Sequence, residues 1–151
     1  MKDYKSIIDK GLLTENPPAL LPWQSTKKEL CEIFGNIKKV NENYFTIQVS
    51  LPQIPFFDCI GLHFDGEILS KIELMCLSAA SPDKIKDRFF ANQILLEKTF
   101  GRPKKCFLKK LFIQDSGTEF YEWKFANVSL VHKLWDRFGM EEITEFIIRY
   151  K

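Results

Sequence analysis

Between Phe45 and Cys76 the chain keeps a two-residue rhythm. Phe45, Ile47 and Val49 share one side of an extended segment, and Ile60, Leu62 and Phe64 share one side of the next. A third run opens with Ile68 and Leu69 and continues with Ile72, Leu74 and Cys76 on one face. Successive side chains of a strand point to opposite faces, so this alternation demands a half-buried sheet. Asp65-Gly66 marks a tight turn between the second and third runs. The three runs therefore predict an antiparallel meander with one apolar and one polar face.

Helical signals flank the meander. Thr26-Lys27-Lys28-Glu29 is a capping-box pattern, followed by Leu30, Ile33 and Phe34 on one helical face and by Gly35 as a left-handed stop. The pattern predicts a helix over 27–34. Ser81-Pro82 predicts the start of a second helix, running to Phe100 and ending at Gly101, with Ile85, Phe89, Leu96 and Phe100 as its inward stripe. Tyr4, Ile7, Ile8, Leu12 and Leu13 predict a short helix within 4–13, broken by Glu15-Asn16-Pro17-Pro18. Further strands are expected over 106–113, 120–125 and 128–135, and a last one carries Thr144, Phe146, Ile148 and Tyr150 after a turn at Gly139.

The two helix exits match. Leu30-x-x-x-Phe34-Gly35-x-x-Lys38-Lys39 recurs at a constant offset as Leu96-x-x-x-Phe100-Gly101-x-x-Lys104-Lys105, and the segment from Phe64 to Leu69 loosely echoes that from Phe125 to Leu130. The reading is a tandem repeat of a helix and three strands, the second copy adding one strand; the alternative is that Phe-Gly ends two unrelated helices. The expectation is an α+β protein with an antiparallel sheet of six or seven strands and two main helices on one face. It forms a single domain over 1–151, with halves at about 23–78 and 81–151 and an N-terminal segment over 1–22.

Composition narrows the function classes. The 151 residues are 45% hydrophobic and 28% charged, which is globular and not disordered. Lys and Arg total 22 against 20 Asp and Glu, and a net charge of +2 gives no push toward nucleic acid or membrane. The start has no apolar signal region and no run is long enough to span a bilayer, so a cytoplasmic location is expected. Cys31, Cys59, Cys76 and Cys106 contain no CxxC pair and read as reduced, mostly buried thiols.

Chemistry finds little support. Cys59 and His63 face the same side of one strand, and Cys76 is near, but a structural zinc site needs a fourth ligand. Cys59 with His63 is the one arrangement available for nucleophilic catalysis, and no phosphate-cradling loop exists. Asp65 with Glu67, and the cluster Glu141, Glu142 and Glu145, read as solvated carboxylates at turns and a strand start and not as an acid–base pair. No catalytic residue, metal ligand or cofactor site is assigned.

Surface features point instead to binding. Arg102 to Phe112 interleaves cations, among them Lys104, Lys105, Lys109 and Lys110, with Phe107 and Phe112. Such a segment guards a sheet edge, meets an acidic protein or tracks a phosphate backbone. The loop from Leu51 to Phe57 carries Ile54, Phe56 and Phe57 between prolines, and Phe90 and Ile94 lie one turn apart opposite the second helix's main stripe. Both are either buried by the fold or exposed as a protein interface. Trp135, Arg137 and Phe138 at a hairpin tip form a third candidate.

With its Leu30/Phe34-Gly35 and Leu96/Phe100-Gly101 motifs, the chain resembles in architecture the small cytosolic α+β immunity proteins that bacteria use to neutralise toxins, over roughly 23–150. The resemblance implies a non-enzymatic inhibitor that binds a protein partner, such as a toxin domain, stoichiometrically. It carries over no functional residue. The alternatives are a small enzyme with a sheet–helix pocket and a nucleic-acid adaptor using 102–110, the latter disfavoured by the balanced charge. Homodimerisation is compatible with each.

Overall fold

The alternating segment folds as the strands its rhythm requires. The computed structural model describes residues 8–77, 82–104, 119–136 and 139–149. In chain order these form β1 (Gly11–Glu15), β2 (Pro18–Pro22), α1 (Lys27–Ile33), β3 (Lys38–Asn41), β4 (Tyr44–Gln48), β5 (Cys59–Asp65), β6 (Ile68–Met75), α2 (Pro82–Phe100), β7 (Glu119–Lys124), β8 (Val128–Asp136) and β9 (Met140–Ile148). The fold is α+β. Strands β1 and β2 form a separate hairpin, and the others make a seven-stranded antiparallel sheet in the order β3-β4-β5-β6-β9-β8-β7. Two meanders thus meet where β6 pairs with β9.

Register explains the core. Phe45, Leu62, Ile72, Phe146, Leu130 and Trp123 stand opposite one another along one row across six strands. All six are buried, as are Leu30 and Phe34 of α1 and Leu96 of α2, in one apolar cluster running from Ile8 to Ile148. A neighbouring row on the same face starts apolar with Ile47, Ile60 and Leu74, then turns polar with Thr144, His132 and Tyr121. Helix α2 packs over β8 and β9, where the polar half of that row lies.

The local signals hold at the start of α1 and at two turns, while Ser81, the expected cap of α2, lies outside the described residues. Thr26 and Glu29 form the full capping box: the Thr26 N–H donates to Glu29 Oε2 at 2.8 Å and the Glu29 N–H to Thr26 Oγ1 at 3.3 Å. Gly66, between β5 and β6, has φ 60, and Gly101, after α2, has φ 81, both in the region that favours glycine. Gly35 does not share that conformation. Phe34 ends α1 with extended backbone at φ −114 and ψ 103, so the two matched helix exits differ in geometry.

The N-terminal expectation is corrected at its C-terminal end only, since Ile8 is helical but the helix stops before Gly11. Leu12 and Leu13 lie in β1 and not in a helix, paired with Leu21 and Leu20 of β2 across a hairpin that reverses at Asn16-Pro17, a cis peptide. The proline pair sits at the turn, where no interior ladder donor is lost, and Thr14 Oγ1 donates to the Pro17 carbonyl at 2.6 Å. Strand β3 was not foreseen, because all four of its residues are exposed and lack an apolar rhythm. The expected strand over 106–113, Tyr4, Ile7, Tyr150 and Cys106 lie outside the described residues.

Candidate functional site

A buried polar network joins α2 to the sheet. Its strand members, His132 on β8 and Glu142 on β9, belong to the core-facing side because they continue the alternation of Leu130, Leu134, Thr144 and Phe146. Of its helix members, Arg88 and Asn92 lie one turn apart and Gln93 follows Asn92, one turn after Phe89. Arg88 Nε donates to Glu142 Oε2 at 2.7 Å and Asn92 Nδ2 to Glu142 Oε1 at 2.5 Å. His132 Nε2 lies 3.1 Å from the same Oε1, and its Nδ1 lies 2.8 Å from the Gln93 side-chain amide. The Phe89 ring stacks on the imidazole at 4.1 Å between centroids. Glu142 thus accepts from three side chains on two elements while its own side chain is only 4% exposed.

Burial and partners set the protonation states. Withdrawal from water holds the His132 imidazole below its ordinary value of 6.5, against the pull of Glu142. Burial pushes the Glu142 carboxyl up, but hydrogen bonds from His132, Asn92 and Arg88 outweigh it and hold the group below its ordinary 4.5. The unfolded chain therefore takes up protons at both residues at a higher pH than the folded chain does. The stability tied to His132 is complete above 6.5 and is lost as pH falls; that tied to Glu142 is lost further down, below 4.5. Urea midpoints should be level above about pH 7 and fall steadily toward pH 4, and His132→Gln should flatten the upper limb of that fall. A midpoint that rose on acidification would contradict this protonation scheme.

On the other side of the sheet, Tyr44, His63 and Glu73 form a second polar group. Glu73 Oε2 accepts from the Tyr44 hydroxyl at 3.4 Å and lies 3.2 Å from His63 Nε2. The Tyr44 and His63 rings touch at 4.5 Å. Tyr44 can lie flat because Gly61 has no side chain: a Cβ there would sit 2.6 Å from the Tyr44 hydroxyl. Lys71 and Lys133 pair with Glu145 on this face, at 3.2 and 3.5 Å.

This geometry bears on Cys59 and His63. They do share a face of β5, but Gly61 lies between them with the Tyr44 ring drawn across it. Burial, and then Asp58, push the Cys59 thiol up, which leaves little thiolate to act as nucleophile. Among the described residues no group of three metal-ligating side chains converges. Cys31 is exposed, Cys76 half-buried and Cys59 buried, so only one of the three described cysteines is withdrawn from solvent.

The candidate contact residues part company. Ile54 and Phe57 are buried in the core and offer almost no surface to a partner, while Phe56 is half-buried against it. The reason is a pair of turns, with the Ile54 N–H donating to Leu51 O and the Phe57 N–H to Ile54 O, that folds the loop inward. Phe90 and Ile94 stay at the surface, 39% and 58% exposed. Lys104 is exposed with its backbone bonded to Glu122 of β7, and Trp135 is half-buried with Lys133 Nζ 5.9 Å from its ring. Lys105, Lys109, Lys110, Arg137 and Phe138 lie outside the described residues.

The carboxylates are also sorted. Asp65, Glu67 and Glu141 are solvated as expected, whereas Glu142 and Glu145 are taken into ion pairs and buried. The buried network was missed. Its legible signal was a histidine inside the apolar alternation Leu130-x-His132-x-Leu134, opposite polar residues on the inward side of α2. Among the described residues no helix is long and apolar enough to cross a membrane. No protein-family model, curated protein or solved structure matches the chain.

Proposed function

We propose that the protein is a non-enzymatic binding module of the cytosol that neutralises a partner protein by stoichiometric association, in the manner of immunity-type inhibitors. The observation that carries this reading is the outer side of α2. Phe90 and Ile94 stand one turn apart at the surface, edged by Lys86, Asp87, Glu97 and Lys98. An apolar centre with a polar rim is the anatomy of a protein contact. The buried network on the opposite side holds the helix in one rotation, so the pair is presented pre-formed and little ordering is required on binding. Such a patch fits a partner offering an apolar pocket framed by charges of both signs.

The architecture supports a tandem origin for this platform. Each meander follows a helix, and the two meet last strand to last strand. Both helices would then lie on the face that carries Phe45, Leu62 and Phe146. The test is co-purification of the wild type and of F90D/I94D from the native source, with the mass of each complex measured. A one-to-one complex that the double variant loses, with affinity down about 100-fold, is the expected result. A partner retained by the variant, or a wild type that is only a homodimer through this helix, overturns the reading.

A further inference from the structure

A cleft of about 480 Å³ opens beside β3, β4 and β5, away from α2, and its volume falls in the range of small-molecule sites. Tyr44 contributes a flat aromatic wall, which Gly61 alone permits on β5, since any Cβ there would meet the ring. Met75, Leu77 and Cys59 supply further apolar surface. Burial keeps the thiol in its neutral form, and the Tyr44 phenol, its ionisation disfavoured by burial and then by Glu73, stays neutral as well. Among the described residues that line the cleft, Lys38 is the one charged group, and no carboxylate lines it.

We infer that this cleft is a binding site for a small organic anion with a planar apolar body, the ring lying against Tyr44 and Met75 and the anionic group meeting Lys38. Three features converge on that class. The aromatic wall and the Met75 thioether favour a flat apolar or aromatic body. The Lys38 ammonium, the one charge among the described lining residues, favours a negative charge over a neutral or cationic group. Thr46 and Gln48, on the same side of β4 as Tyr44, place a hydroxyl and an amide at the cleft for the remaining oxygens. The site is separate from the α2 patch, so it stands whether or not that patch docks a protein.

The test is a titration of ¹⁵N-labelled full chain with 3-phenylpropionate, a single ring bearing one carboxylate, alongside its neutral analogue 3-phenylpropanol. The expected result is saturable shifts at the amides of Thr46, Gln48, Gly61 and Leu77, with the alcohol binding about tenfold more weakly. Lys38 is an exposed residue of edge strand β3, so Lys38→Ala should leave the fold intact and bring the carboxylate down to the affinity of the alcohol. Gly61→Ala, which forces the Tyr44 ring from its place, should abolish the shifts; if that variant does not fold, Lys38→Ala decides alone. Absence of saturable shifts with the carboxylate up to roughly 10 mM overturns the proposal. So do shifts that centre elsewhere, or an affinity that Lys38→Ala leaves unchanged.

Discussion

Replacing Glu142 with alanine should lower the free energy of unfolding by about 3–5 kcal/mol, measured by urea denaturation at neutral pH. The carboxylate is the hub on which Arg88, Asn92 and His132 converge. Its removal leaves the Arg88 guanidinium short of its counter-charge and two further donors without an acceptor inside the fold. Glu142→Gln preserves the shape and one acceptor while removing the charge, so a smaller loss is expected. In a double-mutant cycle, Arg88→Ala should cost much less once Glu142 is already gone. If Glu142→Ala costs less than about 1 kcal/mol, the network does not hold α2 in its rotation, and the case for a pre-formed Phe90–Ile94 patch weakens with it.

A comparable loss, about 3–5 kcal/mol, is expected for Trp23→Ala. Trp23 is 2% exposed, its ring lies 5.2 Å from that of Phe146 on the interior strand β9, and its indole N–H donates to the Ile8 carbonyl at 2.5 Å. Truncation removes a large apolar volume between the β1–β2 hairpin and the main sheet, and strips a buried carbonyl of its donor. Leu20→Ala, on the same hairpin but 37% exposed, should change stability by under about 1 kcal/mol. Similar losses for the two variants would mean that the hairpin is not fastened through Trp23.

Neither of these two side chains was legible in the sequence, whereas the strands of the first meander were. Period-two alternation and the Asp65-Gly66 turn located β4, β5 and β6, because they reflect local rules of the backbone and one clear division into wet and dry faces. The Thr26 to Glu29 capping box was equally local. Leu12 and Leu13 of β1 were read as the end of a helix because Ile8 and Leu12 stand four apart, a spacing that fits one helical turn. Only the pairing with Leu21 and the cover from Trp23, which lie farther along the chain, decide for a strand. The loop from Leu51 to Phe57 shows the same limit: its prolines and phenylalanines fit a buried loop and an exposed one alike, and only the folded core that receives Ile54 and Phe57 decides for burial. Glu142 looked solvated among its acidic neighbours because its partners stand more than forty positions earlier, on α2, and on the adjoining strand.

The seam between β6 and β9 carries a consequence for how the chain is made. It consists of the pairs Lys71–Ile147 through Leu74–Thr144, which join residues from opposite halves of the sequence. Contacts this distant form late, since a long loop must close before they contribute. On a ribosome the β3–β6 meander is complete well before β9 has been synthesised, and β6 is then a bare strand edge carrying Ile72 and Leu74. Such an edge invites pairing with a neighbouring nascent chain. Lys71 and Glu73, alternating with those apolar residues, act as gatekeepers during that interval, and Lys71 later pairs with Glu145 as β9 arrives.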